Sequence, residues 1–392
     1  MTGVWDAVVI GLGPAGAVAA WRLAVLGCRV LAVDRAEFPR DKVCGGCISH
    51  PGLTWLRRMG LVGELRGLAL PLRGAEVRAG ALRLTVALPT GLVIARRDLD
   101  YALVQKASAA GAKVITRCPA WVGECQGNSR KVWLQSGPGA SQTVRASVVV
   151  LADGLAGTAS RYVAELRRRS LGSQRFGAAC CLPDGSAWAP GWVYLAYGAG
   201  EYLGVTRLAD GRLQVAGAWR YRVGQGIPLT QRAERLLQRC GLPIPLGLTK
   251  AVWKGTPLFG VVRPAAAERL LVVGDARGYF EPFTGQGIAL ALESGWRLGE
   301  WLVQHGGWSP ALAHDWQRFT ARLLTHRQFW TRCISWLLDH TRLAQWTLRC
   351  LSHWPTLAHR WIWHWYGSSK PSLPHPSSGD PSALASSMFV GE

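Results

Sequence analysis

Lysine is scarce in this chain. It stands at only seven positions (42, 106, 113, 131, 250, 254 and 370), so 38 of the 45 basic residues are arginine. Acidic residues number only 24, leaving a formal charge of +21 and a pI near 10.3. The basic residues form no concentrated block and sit in no nucleic-acid module, so a nucleic-acid partner is not expected. A solvated arginine-rich surface and contact with an anionic membrane surface both fit the charge. Long apolar runs are missing as well: none reaches the roughly 18 residues of a membrane span. The first strand begins at Val4, which leaves no basic n-region or separate apolar h-region, so no secretory signal is read. A cytoplasmic protein is expected, with peripheral attachment to the inner face of the cell membrane as the one membrane reading. The ten cysteines lack paired zinc spacing. Cys44 and Cys47 make a lone C-x-x-C, Cys180 and Cys181 are adjacent, and free thiols with no metal are expected.

The sequence does have two glycine-rich segments at opposite ends. Val4 to Ile10 reads as a strand, Gly11-Leu12-Gly13-Pro14-Ala15-Gly16 as a turn, Ala17 to Leu26 as a helix ended by Gly27, and Cys28 to Asp34 as a second strand. That order makes a βαβ unit. Gly11 would make the tight turn, Gly13 would let a pyrophosphate approach the backbone, and Gly16 would let helix and strand close. The helix N-terminus then favours the phosphate charge, and Asp34 is placed to bind the adenosine ribose. The second segment, Gly274-Asp275 through Pro282, Gly285, Gln286, Gly287 and Ile288, offers a carboxylate and a glycine-rich helix start. Together the two suit FAD, a long, bent cofactor, better than NAD.

With 392 residues and 49% apolar content, the chain is long enough for two interleaved domains. Residues 71–96 and 113–151 read as strands with a helix from Asp98 to Ala109 between them. Residues 165–255 carry strand-like pieces suited to an antiparallel sheet. Leu270 to Val273 reads as a buried strand and Ile288 to Val303 as a helix. Residues 311–360 show apolar side chains at helical spacing. Eleven of the 20 tryptophans lie between Trp296 and Trp365. Between 296 and 366 there are eight arginines against three acids, Glu300, Asp315 and Asp339. Two readings fit this region: a helical lid with tryptophan core, or an interfacial helix on anionic lipid, with Trp361 to Tyr366 too aromatic for a plain surface helix. A Ser/Pro-rich tail from Gly367 reads as disordered.

After Asp34 the chain continues Arg35-Ala36-Glu37-Phe38-Pro39-Arg40-Asp41-Lys42-Val43-Cys44-Gly45-Gly46. This resembles the F-P-R-x-K-x-C-G-G element of the geranylgeranyl reductase branch of the flavoprotein monooxygenase superfamily. Three more segments match that superfamily in order: Arg96 with Asp98, Leu99, Asp100 and Leu103; Asp153-Gly154 with Ser160-Arg161; and Gly274-Asp275-Ala276 with Pro282, Gly285 and Gly287. The resemblance implies non-covalent FAD. Arg35, Arg40 and Lys42 would lie near its pyrophosphate, Cys44-Gly45-Gly46 near its ring, Arg96 and Asp153 against the cofactor, and Asp275 on the ribityl chain.

The architecture it implies is α/β: a Rossmann-like FAD-binding domain interleaved with an antiparallel-sheet substrate domain, plus a C-terminal helical region. The boundaries read as 1–164 (with inserted β segments at about 71–150) and 256–303 for the first domain and 165–255 for the second. The helical region is 304–366 and the tail 367–392. The activity implied is oxidoreduction on a hydrophobic lipid-, prenyl- or polyketide-like substrate, reducing a C=C bond with reduced flavin.

A monooxygenase hydroxylating an aromatic or polyketide-like compound is the alternative, followed by a membrane flavoprotein without turnover. Gly278 fills the histidine slot of aromatic hydroxylases, and Gly285 the serine slot of flavin halogenases, which disfavours halogenation. The aromatic-W-x-F-P element of prenyl reductases has no clear copy; Val193 to Gly198 stands there. Cys44 and Cys47 are the candidate proton donors by motif position, with ordinary packing as the other reading. Tyr194, Tyr197, Glu201 and Tyr202 are candidate pocket residues of the middle domain. NADPH or NADH is a candidate electron donor, although no second dinucleotide fingerprint is present.

Overall fold

The computed structural model describes residues 3–137, 140–221, 226–354 and 356. Its first sheet carries parallel strands in the order Leu270–Val272, Ala140–Leu151, Val4–Ile10, Val30–Val33 and Lys113–Ile115. Val9 pairs with Ala32 on one side and Val150 on the other. Alternate residues leave by opposite faces: Ala7, Val9, Val148 and Val150 join one core, and Val8, Ile10, Val149 and Leu151 the other. A parallel sheet covered on both faces needs continuous apolar strands, which is what these sequences supply. Two antiparallel strands, Ala120–Gln126 and Ser129–Gly137, extend the sheet from the first half of Ala140–Leu151.

Seven helices are described: α1 (Pro14–Val25), α2 (His50–Arg58), α3 (Arg96–Ala109), α4 (Leu229–Arg239), α5 (Gly287–Gln304), α6 (Pro310–Asp339) and α7 (Thr341–His353). α1 and α5 cross so closely that a Cβ on Gly295 would stand 2.3 Å from the Ala15 carbonyl oxygen. Pro310 opens α6 with its fixed φ, and the Ser309 hydroxyl accepts the Leu312 N–H at 3.1 Å. α2 and α4 are absent from the reading of the sequence. α4 is nonetheless amphipathic and lays Ala233, Leu236 and Leu237 on the second sheet.

The second sheet runs Lys254–Leu258, Arg175–Leu182, Leu213–Arg220, Glu201–Arg207, Trp192–Gly198, Ala69–Ala79, Leu82–Ile94 and Cys47–Ile48. All its pairs are antiparallel except Trp192–Gly198 with Ala69–Ala79. This corrects one expectation. The strands from 69 to 94 belong here and not to the dinucleotide-binding sheet, because Val193 pairs with Ala75 and Leu195 with Val77. Alternation marks a strand with one buried face but carries no information on its partner.

The C-terminal helices divide their aromatic residues. Trp316 is fully buried, its indole N–H donating to the Val272 carbonyl at 3.0 Å, and Trp301 and Phe319 close around it. The second half of α6 and all of α7 instead cross the second sheet, where Leu338, Ala344 and Leu348 join Val86, Tyr197 and Tyr202 in one core. Trp361 to Tyr366 and the tail from Gly367 lie outside the described residues.

Candidate active site

Gly11 has φ +97°, and a Cβ there would lie 2.4 Å from the Ala152 carbonyl oxygen. Gly16 is tighter still, with a Cβ 1.8 Å from the Gly11 carbonyl oxygen. These two glycines let α1 close on the strand before it. Gly13 differs: the atoms nearest a Cβ there are guanidinium nitrogens of Arg40 and Arg96, at 3.9 and 4.0 Å. The start of α1 therefore has an open floor faced by cations, where the helix dipole favours an anion.

Arg96 donates to both oxygens of buried Asp100, each at 2.8 Å, and Arg40 reaches the same carboxylate at 3.5 Å. Burial works to lower the Arg96 pKa, but the charge and hydrogen bonds of Asp100 outweigh it and hold the group firmly cationic. Lys42 joins these cations, its Nζ 3.2 Å from the position a Cβ on Gly154 would take. Lost hydration, then the charges of Arg96 and Arg40, pull its pKa below the ordinary lysine value. Asp34 sits behind this cluster. Its two oxygens accept the Leu12 and Ala36 amides at 2.7 and 2.8 Å, tying the glycine turn to the end of the second strand.

The second glycine segment faces the first. Gly274 has φ +61° and its Cβ would lie 2.7 Å from the Ala15 Cβ, while its N–H donates to the Ser294 hydroxyl at 3.1 Å. A cavity of about 460 Å³ opens between the two segments. Gly13, Pro14, Ala15, Lys42, Cys44, Gly45 and Arg96 line one part with Asp275, Pro282, Gly285, Gly287 and Ile288. It continues between the second sheet and α6–α7, walled by Leu84, Val86, Val193, Leu195, Leu337 and Leu348 among others.

Several expected contacts are not on that wall. Gly11, Gly16 and Gly274 shape the turns behind it, Gln286 precedes α5, and Arg40 stands over the cluster. Arg35 is exposed and lines no part of the cavity. Asp153 turns its carboxylate away, accepting the Ala159 N–H at 2.9 Å with Arg263 at 4.0 Å; its neighbours Ala152 and Gly154 line the cavity. Tyr194 packs against Trp188, and Glu201 pairs with Arg232, so neither serves the cavity.

Cys44 and Cys47 are both free thiols on the wall. Burial pushes the Cys47 thiol up to about 12; its weak contacts are to the Gly45 carbonyl at 3.6 Å and the Thr206 hydroxyl at 3.8 Å. Among the described residues no cluster of His, Cys, Asp or Glu could hold a metal ion.

A buried polar chain also reaches the cavity, and the reading of the sequence missed most of it. The Tyr202 hydroxyl donates to Glu281 at 2.7 Å, Glu281 meets Arg175 at 3.4 Å, and Arg175 pairs with Asp339 of α6 at 2.8 Å. Tyr202 lines the cavity, Glu281 and Arg175 are buried, and Asp339 is partly exposed. Burial raises the Glu281 pKa above the ordinary carboxylate range; Arg175 and the Tyr202 hydrogen bond oppose this only in part. Tyr197, the other tyrosine expected here, commits its hydroxyl to the Leu338 carbonyl at 2.7 Å. A glutamate directly before Pro282, inside an otherwise apolar turn, was the one available signal.

The donor set fits FAD on the structure's own terms. The open floor at Gly13 suits a close-lying pyrophosphate, three cations surround it, and Asp275 lies on the cavity wall within electrostatic reach of Lys42 and Arg96. Lys42→Met is expected to weaken FAD binding by roughly 10- to 100-fold, the loss of one charge-assisted contact, with Lys42→Arg recovering part of it. Fluorescence titration of the flavin-stripped protein measures this.

Comparison with known proteins agrees. The FAD binding domain family matches residues 5–217. The chain belongs to this family, in its geranylgeranyl reductase branch, and is an FAD-dependent oxidoreductase. It is 28% identical to a menaquinone reductase of Mycolicibacterium smegmatis over 333 residues, 77% of each chain. It is 27% identical to digeranylgeranylglycerophospholipid reductase 2 of Methanopyrus kandleri over 319 residues, 76% of each chain. The solved structure of a geranylgeranyl bacteriochlorophyll reductase-like protein from Thermoplasma acidophilum superposes with a TM-score of 0.70 at 21% identity, covering 89% of this chain and 91% of that one. Solved flavin-dependent halogenases share the fold as well, so the fold alone does not select the reaction.

Proposed function

We propose that this flavoprotein reduces a carbon–carbon double bond in a prenylated or otherwise lipid-like substrate. The observation that carries the reading is the apolar extension of the cavity, which leaves the glycine cradle and runs under α6 and α7. Side chains such as Leu84, Val86, Leu195 and Leu348 suit a hydrocarbon chain and exclude water from it. The names of the two reductase relatives, both acting on lipid-like molecules, support the same class. Bound FAD, once reduced by an external electron donor, would supply a hydride and return to its oxidised form. The other carbon of the bond then needs a proton, and Tyr202 holds one at the cavity wall with the Glu281 carboxyl behind it.

Anaerobic incubation of the FAD-loaded protein with dithionite and a detergent-dispersed menaquinone or geranylgeranylated phospholipid tests this. With any quinol ring reoxidised afterwards, the expected product carries two extra hydrogens in its prenyl chain. An oxygenated product formed only in air would assign the chain to the monooxygenases, and absence of any product with these lipids would remove the proposed substrate class. NADPH and NADH are tested in place of dithionite, by bleaching of the flavin absorbance.

A further inference from the structure

The helices that roof the cavity have two faces of opposite destination. On α6, Ile334, Leu337 and Leu338 point into the cavity, and on α7 Ala344, Leu348 and Leu351 do so. Positions two residues away on an α-helix lie roughly 200° round the axis, so Trp336 and Trp346 point outward. Phe329, Trp336, Trp346 and Trp354 are accordingly 61%, 56%, 64% and 60% exposed. Because both inner faces wall the same cavity, both outer faces are turned away from it. Such an exposed aromatic set is unusual on a soluble helix, where apolar side chains are scattered singly.

Charge on the same segment has one sign. Arg332, Arg342 and Arg349 are exposed, and among the described residues none has a carboxylate partner. The only acid from Phe329 to Trp354 is Asp339, which Arg175 engages. Tryptophans that favour the headgroup level, interleaved with free arginines, match the boundary of a bilayer carrying anionic phospholipid. No helix among the described residues is long and apolar enough to cross a membrane, which leaves lying on the surface.

We infer that the outer face of α6 and α7 docks on an anionic bilayer, so that the helices roofing the cavity rest on the lipid. Binding is read without substrate, which keeps its outcome separate from that of the reduction proposed above.

The test is flotation of the full-length, FAD-loaded protein with phosphatidylcholine vesicles, with and without phosphatidylglycerol. Wild-type protein should float with the anionic vesicles and lose most of that preference in about 1 M salt, where the screening length falls to about 3 Å. Replacing all three arginines with glutamine should lower partitioning on the order of a hundredfold, about fivefold for each charge. Changing Trp336, Trp346 and Trp354 to serine should abolish flotation while flavin content and Tm stay at wild-type values. Wild-type protein that never floats, or a tryptophan variant that floats equally well, overturns the proposal. So does a chain that is dimeric without vesicles and becomes monomeric on Trp346→Arg, since that face would then be a contact between copies.

Discussion

Gly16→Val is expected to yield a protein that retains almost no flavin and melts well below wild type. A Cβ at this position would lie 1.8 Å from the Gly11 carbonyl oxygen and 2.8 Å from the Ala152 Cβ. Neither neighbour can rotate aside, because one is backbone and the other sits at the end of a central strand. α1 must then move off the sheet, taking the Gly13 floor away from Arg40 and Arg96. Overpacking of a well-packed site costs about 1–3 kcal/mol or more, and a clash with backbone belongs at or above the upper end. For a chain of this size about 3 kcal/mol corresponds to a fall in Tm of roughly 4 °C, and a larger clash to proportionately more. Gly63→Ala is the matched control, since a Cβ there meets nothing within 4 Å. Flavin-to-protein ratio and thermal melting read both variants. A Gly16→Val protein that is yellow and melts with wild type would remove the cradle from the account.

Tyr202→Phe should slow product formation by about 10²- to 10⁴-fold, the usual worth of a positioned general acid, while flavin reduction continues at its normal rate. The ring's packing against Phe283 survives the change, so the loss isolates the hydroxyl. Glu281→Gln should slow turnover too and alter its pH dependence. Burial favours the protonated Glu281, so its pKa in the folded chain lies above the ordinary 4.5. The folded state then holds a proton that the unfolded state releases, and stability from this group is full below that ordinary value and lost as pH rises through the folded one. Turnover should fall over the same upper limb, and Glu281→Gln should flatten both profiles. Cys44→Ser and Cys47→Ser provide the comparison. The Cys47 thiol keeps its proton across the neutral range, and replacement by a hydroxyl should cost little if Tyr202 is the donor. A Tyr202→Phe enzyme at full speed beside a disabled Cys44→Ser or Cys47→Ser enzyme would hand the role to the thiols.

How much of this was legible in the chain depends on the distance over which each feature is encoded. The glycine cradle is local: Gly11, Gly13 and Gly16 lie in one turn, and strand, turn, helix and Asp34 follow within a few dozen residues. Their conformations answer to steric limits that only glycine escapes, and the order of residues states those limits directly. Asp275 and the turn from Pro282 to Gly287 are legible for the same reason. The role of Asp34 was harder to read, because an acid at a strand end serves a ligand and a backbone amide equally well, and here both its oxygens hold amides.

What tertiary structure alone decided is a matter of partners. The strands from 69 to 94 could have joined either sheet, and the pairing of Val193 with Ala75 settles the choice across more than a hundred residues. Glu281 meets Arg175 from 106 positions away, and Arg175 meets Asp339 from 164; no periodicity in the chain announces either pair. The tryptophans show the division most plainly. Sequence alone left the C-terminal tryptophans open between a helical core and an interfacial face; Trp316 fills the core against Val272 and Trp336 faces outward. A stripe records that a helix has an apolar face. What covers that face is set by where the rest of the chain folds, because burial is a property of the packed neighbours and not of the residue.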